Sequence, residues 1–336
     1  MLRSYQQVLE DDQPPRHAAV LPETHSLGGG LLDSAVTVVY GHRRVLVAPQ
    51  SVTTDSQRRV VVSDPSIPAV HVLDPARRNS FSILGGPGRR FQQPAGVAVD
   101  QDDNIYISDY ALGMILVYDK YGRFLHYLGN HHGENMYASP TGIAIDRKAG
   151  HLYLADTPRH LVLMMDLEGN VLKQAGRESQ LSGDDGLKIR REIDPGGFSD
   201  PTEIAVGEDK VVVLDSAGTE VHIMDLACNP IAQFRVAHRA NEQAAGISID
   251  QQGHIYISHV NGPQIEVYDQ HGRVIGGFGQ AGFRMGEFND PRGLWITTDQ
   301  LHVVDSQDAR IEVFQLAPKA WKATAASLVA SAPEGN

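Results

Sequence analysis

Short apolar runs, each closed by a polar residue and separated from the next by Gly, Asp, Asn or Pro, follow one another through most of the chain. Their enrichment in Val, Ile and aromatic residues, with turn formers at both ends, predicts β-strands. The runs also repeat as a set. The segment PAGVAVD at 94–100 returns as PTGIAID at 140–146, PTEIAVG at 201–207, AGISID at 245–250 and PRGLWIT at 291–297, with a degenerate copy, PQSVTTD, at 49–55.

A second run follows each copy, at 60–64, 105–109, 152–156, 211–215, 255–259 and 301–305. A third occupies 70–74, 115–119, 161–166, 221–225, 265–269 and 311–314, and a weaker fourth follows a turn, as at 122–129 and 272–279. Four short strands in roughly 45 residues make one propeller blade, whereas solenoid repeats are shorter, at ~20–29 residues. The expectation is an all-β fold, a six-bladed β-propeller of four-stranded antiparallel blades.

The last copy runs out of strand after Phe314, and the run VTVVY at 36–40 precedes the first copy. This N-terminal strand is expected to supply the missing outer strand of the final blade and so remove an open sheet edge. The chain then divides into an N-terminal extension (1–35), the propeller (36–316) and a C-terminal tail (317–336). The long connection between residues 176 and 201 reads as an exposed insertion.

Composition narrows the function. The 336 residues are 41% apolar, which suffices for a large core. The formal net charge of −12, with no separate basic run, argues against nucleic-acid binding, because phosphate contacts need a clustered positive face. A single cysteine, Cys228, excludes an intramolecular disulfide and any C-x-x-C zinc or redox motif. No apolar stretch is long enough for a membrane span, and no leader is legible at the N-terminus. The chain as written therefore reads as cytoplasmic, or as secreted or periplasmic if a leader has been removed.

The connection GQAGFRMGEFNDPRG at 279–293 resembles the signature of NHL-repeat proteins, and an aromatic residue three before proline recurs as Phe91, Tyr137 and Phe198. The resemblance spans residues 36–316 and implies a β-propeller. It implies little about activity, because NHL-type propellers include peptidylglycine amidating lyases, RNA-binding regulators, sensor domains and interaction modules.

Internal repetition separates architecture from candidate function. Asp64, Asp109, Asp156, Asp215 and Asp305 all end a second strand, where a carboxylate accepts backbone N–H bonds of a turn. Gly96, Gly142, Gly246 and Gly293 recur at the start of the inner strand, where a Cβ would collide with a neighbour. Departures from this pattern are the better candidates: His259 replaces the turn Asp, and Glu203 replaces the glycine. With Arg292, Tyr110, Thr141 and His160 they are expected to rim one mouth of the central channel.

Histidines also gather on that face: His131, His132, His160, His259 and His238. Three imidazoles suffice for zinc or copper, but neither H-x-H nor H-E-x-x-H spacing occurs. A calcium turn at Gly183-Asp184-Asp185-Gly186 lacks the full EF-hand spacing. No cofactor is therefore expected, with zinc or calcium as the weaker options.

The favoured reading is a non-catalytic binding or scaffolding propeller that engages a protein or peptide through one channel mouth and the 176–201 insertion. One alternative, implied by the resemblance, is a metal-dependent lyase or hydrolase akin to the amidating lyases, with Arg292 as anion clamp and Glu203 or Tyr110 as proton-transfer group. A third reading is a structural subunit of a larger assembly.

Overall fold

Each predicted repeat folds as a four-stranded antiparallel sheet, and in five of the six the strands succeed one another in the chain. The computed structural model describes residues 32–34, 45–128, 137–176, 197–215, 218–237, 243–260 and 265–316. Blade 1 runs from its inner strand Val52–Thr54 through Val60–Asp64 and Ala69–Asp74 to the outer strand Asn79–Ile83. Blades 2 to 5 begin with the inner strands Pro94–Val99, Pro140–Asp146, Glu203–Val206 and Gln243–Ile249. They end with Phe124–Tyr127, Val171–Gly176, Pro230–Arg235 and Val274–Phe278.

Blade 6 contributes Pro291–Ile296, Gln300–Asp305 and Arg310–Leu316, and its fourth strand is Leu32–Ser34 from the other end of the chain. Leu32 pairs with Leu316, and Ser34 with Gln315. An N-terminal strand thus closes the ring, as expected, but it lies ahead of residues 36–40, which fall outside the described residues.

Burial explains the sequence pattern. The second and third strands are sandwiched between neighbouring sheets, so VVVSD, IYISD and MILVY are buried at every position. Outer strands face solvent on one side, hence the weaker fourth run, as in Val171–Gly176. The apolar clusters lie in the seams between blades: Val61, Val70 and Val72 of blade 1 pack with Val97, Ile107 and Leu116 of blade 2. The aromatic three residues before proline fills such a seam each time, with Phe91, Tyr137, Phe198 and Phe288 all buried.

The recurring turn aspartates are fasteners. Asp109 accepts the backbone N–H groups of Gln92, Gln93 and Leu112, and Asp305 accepts those of Asn289 and Asp290. Each ties the end of its second strand to the segment entering the inner strand, and the carboxylates are fully buried. The glycines at the mouth serve close approach between blades. A Cβ on Gly246 would lie 2.1 Å from the Arg292 carbonyl oxygen, and one on Gly142 would lie 2.6 Å from that of Thr202.

Candidate functional site at the channel mouth

The inner strands surround a central channel lined by Ser51, Val97, Ile143, Glu203, Ile247 and Leu294 among others, with about 30 Å³ of free space. That holds a few waters at most, far below the roughly 300–1,000 Å³ of a small-molecule pocket. Where the inner strands end, Arg147 bridges the blades. It donates to the carbonyls of Val99 (2.8 Å) and Thr54 (2.5 Å) and sits over the Trp295 ring, whose Nε1 donates to Thr54 Oγ1. Burial lowers the pKa of this guanidinium, partly offset by Asp103, Asp55 and Asp100.

Glu203 is the one ionisable residue among those lining the channel. Its side chain retains some exposure to the channel, yet protein surrounds it, and this desolvation pushes its carboxyl up to about 8. Among the described residues, no hydrogen bond or ion pair reaches that carboxyl.

The position of Glu203 in the ring explains why a side chain is tolerated there. Serines of the second strands clamp the next blade: Ser63 donates to Ala95 O (2.6 Å), Ser108 to Thr141 O (2.6 Å) and Ser258 to Arg292 O (2.5 Å). Blade 4 has Leu214 at this serine position and Glu203 at the glycine position, so the seam facing blade 5 departs from the pattern twice. Two residues further along the same face, Ala205 packs with Ile247 and Ile249 of blade 5.

Three of the expected site residues converge on one segment. Thr141 Oγ1 lies 3.0 Å from Thr157 Oγ1, which donates to the Pro201 carbonyl (2.6 Å), and His160 Nδ1 bonds the Ser199 carbonyl. With Gly142 N–H donating to Thr202 O (2.8 Å), these contacts hold 199–202 and so position Glu203. His160 does this in a left-handed backbone conformation (φ 59°) at the end of the short 3₁₀ helix Thr157–Arg159.

The other expected residues stand apart. Arg292 pairs with Asp290 (2.8 Å) and is not part of the channel lining. Tyr110 is exposed in the turn after its strand, tied by its backbone N–H to Gln93 O. His259 is only 1% exposed, so it lies beneath its turn rather than on the rim, with Nε2 3.2 Å from Glu266 Oε2. His131, His132, His238, Gly183–Gly186 and most of the 176–201 insertion lie outside the described residues.

A row of buried polar residues one strand outward from the turn aspartates was not singled out in the sequence. Asp64 faces His71, Asp215 lies 3.2 Å from His222, and in blade 5 the order is reversed as His259 and Glu266. In blade 6, Arg310 joins Asp305 (3.2 Å) to Glu312 (2.9 Å). Blades 2 and 3 have Leu116 and Leu163 there. Aligning the third strands as carefully as the first would have exposed the row.

Comparison with known proteins agrees with the fold. Residues 91–177 match a family described as a 6-bladed beta-propeller. Among curated proteins no sequence relative is found. A gluconolactonase structure from Xanthomonas campestris superimposes with a TM-score of 0.62 at 16% identity, covering 91% of this chain and 96% of that one. Virginiamycin B lyase from Staphylococcus aureus gives 0.56 at 11% identity, covering 84% and 99%. Hydrazine synthase from Kuenenia stuttgartiensis gives 0.57 at 14%, covering 86% and 81%. At these identities the likeness is one of fold: the chain is a six-bladed β-propeller of four-stranded antiparallel blades.

Proposed function

We propose that this propeller is a non-catalytic binding module that grips a cationic group of a protein or peptide partner, a lysine ammonium or a free amino terminus, at the channel mouth bearing Glu203. The observation that carries the reading is the Glu203 carboxyl, without a partner among the described residues and held at a place where four other blades have glycine. Burying a carboxyl without a partner is costly, and an incoming cation offsets that cost by supplying the missing charge. The channel is too small to enclose a substrate, which favours capture of a side-chain tip over enclosure of a whole molecule.

A second reading, a metal-dependent lyase or hydrolase, is favoured by the enzymes among the structural neighbours. It draws on the shared fold alone. A role as structural subunit of an assembly is a special case of the binding reading.

Peptide arrays separate these readings. Wild-type protein is expected to prefer peptides with free lysine or a free amino terminus over their acetylated counterparts, and Glu203→Gln is expected to lose the preference. Equal binding to acetylated and free peptides by both proteins overturns the proposal.

A further inference from the structure

A second cluster lies in blade 4 where its second and third strands meet. Asp215, Glu220 and His222 each place one potential ligand atom within 4.8 Å of the other two. Asp215 and Glu220 are direct cross-strand partners, and His222 lies two residues on along the same face as Glu220.

The matching register in blade 6 places Asp305, Arg310 and Glu312 at these three positions. There the Arg310 guanidinium is a built-in cation between carboxylates: it contacts Asp305, Asp308 and Glu312 at 3.2, 3.3 and 2.9 Å and donates to the carbonyls of Phe283 and Glu287. Blade 4 replaces that arginine by Glu220, so the sign at the centre of the cluster is inverted. Arg235 Nε reaches Glu220 at 3.4 Å, but its side chain is 87% exposed.

The imidazole gives an independent indication. His222 is 5% exposed, packs with its ring tilted against Phe198, and has its Nε2 3.2 Å from Asp215 Oδ2. That approach lacks hydrogen-bond geometry, and among the described residues no other partner meets Nε2. A buried ring nitrogen directed at two carboxylates without bonding either is the donor arrangement of a metal ligand.

We propose that Asp215, Glu220 and His222 bind a divalent transition metal, which takes the place that the Arg310 guanidinium holds in blade 6. One imidazole nitrogen with two carboxylate oxygens suits zinc better than calcium or magnesium, which prefer all-oxygen sites. The site is structural, because it joins two strands of one sheet, and through Asp215 it also holds Ser199 and Asp200 ahead of Glu203.

The test is titration of zinc into the chelator-treated full chain by calorimetry, with melting curves recorded with and without the metal. Wild type is expected to bind one equivalent of zinc and melt at a higher temperature with it. Glu220→Gln and His222→Gln are expected to weaken binding at least about tenfold and to lose the thermal shift. Asp215 is left intact because it also holds the turn through Ser199 and Asp200. The zinc-free melting temperature of Glu220→Gln, whose side chain is partly exposed, establishes that this variant folds. No binding by wild type overturns the proposal, as does undiminished binding by a folded Glu220→Gln.

Discussion

His259 Nε2 and Glu266 Oε2 lie 3.2 Å apart in blade 5, the mirror image of Asp215 Oδ2 and His222 Nε2 at the same 3.2 Å in blade 4. The histidine that departs from the turn-aspartate pattern is therefore compensated: acid and base have exchanged strands. Glu266 also accepts the Tyr268 hydroxyl at 2.5 Å. His259→Asp sets a buried carboxyl against the partly exposed Glu266 and is expected to cost roughly 3–5 kcal/mol. Adding Glu266→His, which recreates the blade 4 order, is expected to recover part of that loss. Urea denaturation of the two single variants and the double variant measures the coupling.

Arg310 carries the corresponding load in blade 6. Burial raises the Glu312 carboxyl to about 7 even with Arg310 pulling it down. Arg310→Met removes the cation from among Asp305, Asp308 and Glu312 and is expected to destabilise by roughly 3–5 kcal/mol at neutral pH. Because that change removes the cation that pulls the Glu312 carboxyl down, the deficit is expected to shrink as the pH is lowered and Glu312 protonates, which melting curves from pH 5 to 8 will show.

The glycine pattern makes a steric prediction. In Gly246→Ala the new Cβ meets the Arg292 backbone at 2.1 Å, and one seam must open. A loss of roughly 1–3 kcal/mol or more is expected. Gly207→Ala is the control, since its Cβ meets only side-chain atoms of Ile249 at 3.2 Å or more, and it is expected to cost less.

Closure of the ring is tested by truncation. Removing residues 1–30 leaves Leu32–Ser34 on the edge of Arg310–Leu316, whereas removing 1–40 uncovers that edge. The longer truncation is expected to melt earlier and to aggregate. Equal melting temperatures would contradict the arrangement.

The blades were legible because buried central strands write continuous apolar runs, and because turn aspartates and mouth glycines recur at one spacing. The closing strand was read at 36–40, which lies outside the described residues; its described part, Leu32–Ser34, sits at a sheet edge, and LDS carries no β-branched run that a sequence pattern could pick out. For the site, repetition singled out Glu203, which lies among the channel-lining residues. It misplaced His259, whose exchange with Glu266 is a long-range compensation between strands that no single column of the repeat reveals. Glu220 and His222 were missed for the same reason, since their meaning depends on what Arg310 does two blades away.

The central claim is that the Glu203 carboxyl, without a partner among the described residues, awaits a cation, and its own titration tests this most directly. Its pKa is raised above the unfolded value, so the folded state holds the extra proton between about 4.5 and about 8. Stability from this group therefore falls as pH rises through that window, and Glu203→Gln is expected to gain on wild type at pH 9 but not at pH 4. Carbon-detected NMR of ¹³C-labelled glutamate carboxyls, assigned by the Glu203→Gln difference, follows the group itself. The account predicts a midpoint near 8 in the free protein that drops on adding a lysine-bearing peptide; a midpoint near the ordinary 4.5, unmoved by such peptides, would contradict it.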